Sequence, residues 1–280
     1  MQTIHDRFAR IARQQPDKAL FERPGLPDLT YGAMLEQVAR LAGALSALGV
    51  ARGDRVAAQV EKSPEAIALY LATLQLGAVF LPLNTAYTAS EIDYFLSDAT
   101  PRLFVCDPAQ HGAHKHRQSP GMQVETMGAS GDGSLGTVGA VPVYTSAPCT
   151  MDDRAAILYT SGTTGRSKGA VLTHGNLASN TDALLECWNF TANDRLIHAL
   201  PIFHTHGLFV AVNMALASGA TLIFLPGFDA GEILARMASA TVLMGVPTFY
   251  TRLLQSPGLT REAVANMRLF ISGSAPLLAD

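Results

Sequence analysis

The stretch GDRVAAQVEKSPEAIALYLATLQLGAVFLPL, residues 53–83, decides the fold. Gly53-Asp54 turns the chain, and Val56 to Val60 then reads as a strand. Ser63-Pro64-Glu65 opens a helix. The serine supplies a capping oxygen, the proline sits where its missing N–H is not needed, and the acid suits the positive end of the dipole. That helix runs to about Leu76. Gly77 ends it, and Ala78 to Leu83 is the next strand. Strands that alternate with helices need crossover connections, which build parallel sheets with helices on both faces.

The same alternation extends outward. Thr30 caps a helix whose apolar face is Met34, Val38, Leu41, Leu45 and Leu48, and Gly49 suits its C-terminal end. Met1 to Leu20 reads as a first amphipathic helix. It lacks the uncharged apolar core of a secretory signal, and Asp6 and Asp17 argue against a transit peptide. Downstream, Ser90-Glu91 opens a short helix and Arg102 to Cys106 is a strand. From Pro108 to Thr150 the pattern dissolves into seven glycines and four prolines. His111, His114 and His116 lie there, but their spacing fits no standard metal site, so a solvated loop is expected. Strand-like runs return at Ile157–Thr160, Gly169–Thr173, Leu196–Leu200, Thr221–Leu225, Val242–Val246 and Leu269–Ile271. The expected organisation is a first α/β subdomain at 1–107, an irregular linker at 108–152, and a second α/β subdomain with a phosphate loop at 153–280.

Composition narrows the function classes. The chain has 280 residues, 48% hydrophobic and only 15% charged, which excludes a disordered protein. A typical chain carries about 25% charge. The shortfall points to a sheet cut before it is complete at the C-terminus. A net charge of −3 gives no basic excess for nucleic acid. Cys106, Cys149 and Cys187 are too far apart for a disulfide framework or a metal site, so a reducing, cytoplasmic setting is expected. The uncharged stretches 66–83 and 208–228 are each divided by a glycine, Gly77 and Gly219. They read as buried helix-then-strand pairs rather than membrane spans.

The chemistry is concentrated in Tyr159-Thr-Ser-Gly-Thr-Thr-Gly-Arg-Ser-Lys-Gly169, directly after a strand. Glycines let backbone amides approach an anion closely. The hydroxyls of Thr160, Ser161, Thr163 and Thr164 add donors, Gly162 and Gly165 keep the backbone open, and Lys168 supplies a cation for a polyphosphate. The Walker A order is absent, because Ser167 precedes the lysine and Gly169 follows it. A flexible polar turn is the alternative.

This loop resembles the phosphate-binding loop of the adenylate-forming superfamily, which includes acyl-CoA synthetases, luciferases and peptide-synthetase adenylation domains. The resemblance continues in Thr30-Tyr31, Gly53-Asp-Arg-Val56, Pro82-Leu-Asn84, Pro201-Ile-Phe-His-Thr-His-Gly207, Gly245-Val-Pro-Thr248 and Ser272-Gly-Ser-Ala-Pro276. Within the superfamily it is closest to malonyl-CoA synthetases, through Leu81-Pro-Leu-Asn-Thr-Ala-Tyr87, His204-Thr-His-Gly-Leu208 and Val246-Pro-Thr-Phe-Tyr-Thr-Arg252. The resemblance implies the α/β layers of the superfamily's large N-terminal domain, with ATP, Mg2+ and CoA as co-reactants. A carboxylate attacks the α-phosphate of ATP, and the CoA thiol then displaces AMP.

It also implies site roles. His204 is the expected catalytic and acyl-pocket histidine, while His206 is expected to pack in the core. Arg252 stands in an apolar stretch, where a guanidinium suits the distal carboxylate of malonate; a side chain reaching out to solvent or pairing with a local acid is the alternative. Arg166 suits either phosphate or malonate. The Ser272-Gly273-Ser274 turn is expected to border the acyl pocket and the adenine. Family members are nearly twice as long, and the Tyr-Gly-x-Thr-Glu motif, the hinge and the C-terminal lysine domain do not occur here. The expectation is therefore an N-terminal part with little thioester synthesis of its own. The rival expectations are another acyl-CoA synthetase or a non-catalytic nucleotide-binding remnant.

Overall fold

Apolar runs of a few residues, cut off by glycine, proline or aspartate, make short buried strands separated by helices. The computed structural model describes residues 2–160 and 167–276. In chain order its elements are α1 (Ile4–Gln14), β1 (Ala19–Glu22), β2 (Leu29–Thr30), α2 (Tyr31–Ala47), β3 (Arg55–Gln59), α3 (Pro64–Gln75) and β4 (Val79–Pro82). Next come α4 (Ala89–Ala99), β5 (Leu103–Cys106), α5 (His111–His114), β6 (Gln123–Thr126), β7 (Arg154–Thr160), β8 (Lys168–Thr173) and α6 (His174–Cys187). The chain continues with β9 (Arg195–His198), a π-helical segment (His206–Val212), α7 (Asn213–Ser218) and β10 (Thr221–Phe224). It then forms α8 (Ala230–Met237), β11 (Val242–Gly245), α9 (Pro247–Leu254) and β12 (Leu269–Ser272).

Two units emerge. The first holds Met1–Ala9 and Met34–Ala178, the second Arg10–Ala33 and Ser179–Asp280. The first contains a six-stranded sheet of order β6-β5-β3-β4-β7-β8, parallel except for the antiparallel edge pair β7–β8. The second contains a sheet of order β12-β11-β9-β10-β1-β2, parallel except for its edge pair β1–β2.

The initiating βαβ stretch forms as read. Ser63 caps α3 by accepting from the Ala66 amide, Pro64 fills the first position, and Pro64 and Ala66 to Gln75 are buried. A helix apolar on every side is a buried helix. The two uncharged stretches become α3–β4 and the π-helical segment with α7 and β10. Among the described residues no helix is long and apolar enough to cross a membrane.

The division of the chain differs from the expectation. The strand pair around the phosphate loop joins the first sheet, through Phe80 on β4 paired with Ala156 on β7. The second sheet is completed by β1, whose Phe21 pairs with Leu222 on β10. Local periodicity identifies a strand but not its partner, so neither assignment was visible in the pattern. The region 108–152 is also more structured than a linker. It contributes β6, paired with β5, and a strap whose Val143 amide donates to Ala39 and whose Ala147 amide donates to Gln75. His114 is not in a solvated loop. It is buried, edge-on to Phe104 at 5.2 Å, with Arg117 Nη1 2.8 Å from its Nδ1.

Candidate active site

In the first unit, the site begins at the loop end of the β7–β8 hairpin. Thr160 is the last residue of β7 and Lys168 the first of β8, and they are paired. Both are exposed. Ser161, Gly162, Thr163, Thr164, Gly165 and Arg166 lie outside the described residues. The Tyr159 ring packs on Phe95 of α4 at 4.3 Å, and its hydroxyl donates to Asp98 at 2.6 Å. A hydroxyl and an ammonium on neighbouring strand positions can both meet the oxygens of one phosphate chain.

In the second unit, the residues after β9 fold back to line a cavity of about 360 Å³ with Leu200, Pro201, His204, Thr205, His206, Val246 and Ser274. The turn is tight because Gly207 touches the chain before it. A Cβ at that position would sit 1.9 Å from the Pro201 carbonyl oxygen, so no other residue fits. His198 fixes the same turn from below. Its ring stacks on Phe224 at 5.2 Å, and Nε2 donates to the Gly207 carbonyl at 2.9 Å. His198 read only as a strand residue in the sequence, and nothing there marked it as a support for the motif.

The two motif histidines differ. His204 reaches the surface and leans on Phe203 at 4.5 Å. His206 is buried and opens the π-helical segment. Its Nδ1 lies 3.3 Å from the Ser274 hydroxyl, and Gly273 lies against its ring. Burial lowers the pKa of both rings below the ordinary histidine value. Both are therefore neutral imidazoles at neutral pH, able to donate from one nitrogen and accept at the other. His206 does pack, as expected, but it packs against the Ser272–Ser274 turn and so belongs to the cavity wall. Ser274 holds a left-handed backbone at φ +68°, a conformation uncommon for serine. Ser272 ends β12.

Arg252 is not among the residues lining that cavity. It stands in the last turn of α9, exposed, with its guanidinium carbon 5.5 Å from the centre of the Phe228 ring. Among the described residues no carboxylate forms an ion pair with it. The Tyr250 hydroxyl, two residues earlier, lies 2.5 Å from the Ile271 carbonyl and 3.1 Å from that of Leu243, tying α9 to β11 and β12. Among the described residues no group of three or more His, Cys, Asp or Glu side chains converges as for a metal ion.

Comparison with known proteins adds a family. The profile of the AMP-binding enzyme family matches residues 8–280. A feruloyl-CoA synthase from Amycolatopsis sp is 34% identical over 279 residues, covering 97% of this chain and 54% of that protein. A malonate–CoA ligase from Arabidopsis thaliana is 32% identical over 263 residues, covering 82% of this chain and 42% of that protein. The crystal structure of ATP-bound MatB from Rhodopseudomonas palustris matches with a TM-score of 0.93 at 54% identity, covering 99% of this chain and 56% of that one. The chain thus spans about half the length of the relatives it matches.

Proposed function

Because the chain belongs to the AMP-binding enzyme family, we propose that it serves an AMP-forming acid–thiol ligase whose acid is malonate. A malonate oxygen attacks the α-phosphorus of ATP and pyrophosphate leaves, giving malonyl-AMP. The CoA thiol, losing its proton, then attacks the acyl carbon and AMP leaves with the bonding pair. The first step needs the polyphosphate charge offset and the two reactants held in line.

The observation that carries this reading is the hairpin end, where Thr160 and Lys168 leave adjacent strand positions on either side of the Gly/Ser/Thr-rich loop. Lys168 and the Thr160 hydroxyl would meet the β- and γ-phosphates, with Ser161 to Gly165 completing the loop. Mg2+ would accompany the nucleotide and offset charge on its phosphates. Neutral His204 would hydrogen-bond the reacting carboxylate, with the Ser272–Ser274 turn as the far wall of the acyl pocket. Arg252, which has no carboxylate partner among the described residues, would take the distal carboxylate, with Arg166 as a second cation. Cys106, Cys149 and Cys187 are free thiols, which fits a reducing cytoplasm.

A second reading, an aryl monocarboxylate as the acid, is favoured by the 34% identity to a feruloyl-CoA synthase. ATP–pyrophosphate exchange by the intact protein separates the two. Malonate should support exchange, ferulate should not, and Arg252→Ala should lower malonate-dependent exchange about 100-fold through loss of a charged hydrogen-bond partner. Malonate exchange that survives Arg252→Ala removes Arg252 from the pocket. Exchange with ferulate alone selects the second reading.

A further inference from the structure

Helix α4 meets the β7–β8 hairpin with two side chains one turn apart. Tyr94 and Asp98 stand at i and i+4, so they share a face. The Tyr94 hydroxyl donates to the Ser167 carbonyl at 2.7 Å. Asp98 accepts from the Tyr159 hydroxyl at 2.6 Å. Ser167 directly precedes Lys168, and Tyr159 directly precedes Thr160, so the two bonds grip opposite arms of the hairpin at its loop end. The rings interlock as well. Tyr94 stands edge-on to Tyr159 at 6.1 Å, and Tyr87 packs on Phe95 at 4.9 Å. Burial and the Asp98 carboxylate push the Tyr159 phenol well above its ordinary pKa, so its O–H remains a donor.

The helix is a firm anchor. Thr88 and Glu91 form a reciprocal capping box at its start, and Ile92, Phe95 and Leu96 are buried in the core of the first unit. The hairpin needs one. Among the described residues β8 is the edge strand of its sheet, paired with β7 alone, and residues 168–171 are exposed. A lysine at the end of an edge strand has no second strand to fix its direction.

We infer that Tyr94 is a positioning residue for phosphate binding, acting on Lys168 through the Ser167 carbonyl while the Tyr159–Asp98 bond holds the other arm. The inference rests on the reading of Lys168 as a phosphate ligand. Small displacements of a positioned charge cost affinity, and one hydrogen bond is worth roughly a fivefold change.

The test is equilibrium binding of ATP to the intact protein in four forms: wild type, Tyr94→Phe, Lys168→Ala and the double variant. Tyr94→Phe should weaken ATP about fivefold and leave the KM for malonate unchanged. In the Lys168→Ala background it should add nothing, because the contact it aims is gone. A hydroxyl with only a structural role would weaken both substrates alike and add to Lys168→Ala, and either result overturns the inference, as does unchanged ATP affinity. If the wild type binds no ATP, the functional reading fails on its own. The clamp is then read from amide hydrogen exchange at Lys168 and Gly169, which should speed up in Tyr94→Phe; unchanged exchange rejects it. Should Tyr94→Phe not fold, Tyr159→Phe gives the same comparison on the other arm.

Discussion

The sheet β6-β5-β3-β4-β7-β8 and the sheet β12-β11-β9-β10-β1-β2 correspond strand for strand, with the edge hairpin taken from downstream in one and from the N-terminus in the other. The correspondence reaches single hydrogen bonds. The Val50 amide donates to Leu45 and the Phe190 amide to Leu185, each across a residue in the left-handed region, Gly49 or Asn189. The Val79 amide donates to Asp54 and the Thr221 amide to Asp194. One core holds Ala57, Leu81, Ile92, Leu96 and Phe104; the other holds Ile197, Ile223, Ile233, Met237 and Leu243 at matching places. The chemistry is not shared. The first unit carries its polar residues at the end of the edge hairpin, whereas the second carries them where the crossover after β9 begins. There α3 is a regular capped helix in one unit, and its counterpart opens as a π-helix in the other. Repeated scaffolding sets where strands end, and the loops at those ends set what the site can do.

The largest expected break in the correspondence is at Asp54 and Asp194. Both accept from a backbone amide three residues earlier, Ala51 at 2.9 Å and Thr191 at 2.8 Å. Only Asp194 is buried, and it also holds Arg268 through two hydrogen bonds of 2.8 and 2.7 Å and accepts from Thr241. Burial alone would raise its carboxyl, but Arg268, the Thr191 amide and Thr241 outweigh it and hold the pKa below the usual range. Asp194→Asn should cost about 2 kcal/mol, because a buried carboxylate loses its charged hydrogen bonds while its Arg268 partner stays open to solvent, and Asp54→Asn about 1 kcal/mol. A depressed carboxyl stabilises the fold above its unfolded pKa and loses that effect as pH falls through the folded value. The gap in denaturation midpoint between wild type and Asp194→Asn should therefore narrow below about pH 4. Equal costs at the two aspartates, or a gap that widens in acid, would break the account.

Gly207 gives the next effect. Gly207→Ala should cost about 2 kcal/mol by overpacking against the Pro201 carbonyl. Gly53→Ala should cost about 1 kcal/mol for its φ of +83° alone, since no atom lies within 4 Å of a Cβ there. Urea titration of both variants measures the difference. A Gly207→Ala variant as stable as Gly53→Ala would mean that the turn under the cavity yields.

Much of the fold was legible because its signals are local. Ser63-Pro64-Glu65 and Gly77 delimit α3 where the structure does, and each strand-like run from Ile157 to Ile271 has its strand within a few residues. What escaped is what local pattern does not hold. β1, β2 and β6 are strands of two to four residues, too short for alternation to show, and β1 also pairs with the distant β10. The correspondence of the two sheets escaped too, because its edge hairpins are swapped in chain order. In the site, the polar loop and the His204–Gly207 motif stood out by composition. His198 and Tyr94 did not, because each acts through a backbone carbonyl that local pattern does not reveal, that of Gly207 for His198 and that of Ser167 for Tyr94.

The smallest effect separates stability from function at the two crossover starts. Ser63 accepts from the Ala66 amide at 3.1 Å, so Ser63→Ala should cost about 1 kcal/mol, as lost caps do. Thr205 precedes the equivalent segment and makes no side-chain capping bond. Thr205→Ala should leave the denaturation midpoint unchanged within about 0.5 kcal/mol, as for a substitution away from caps and core. Yet Thr205 lines the second unit's cavity and Ser63 does not. The carboxylate KM should then respond to Thr205→Ala and not to Ser63→Ala. If Thr205→Ala lowers stability while sparing the KM, the π-helical opening is a structural start like that of α3, and the contrast between the two units loses its functional content.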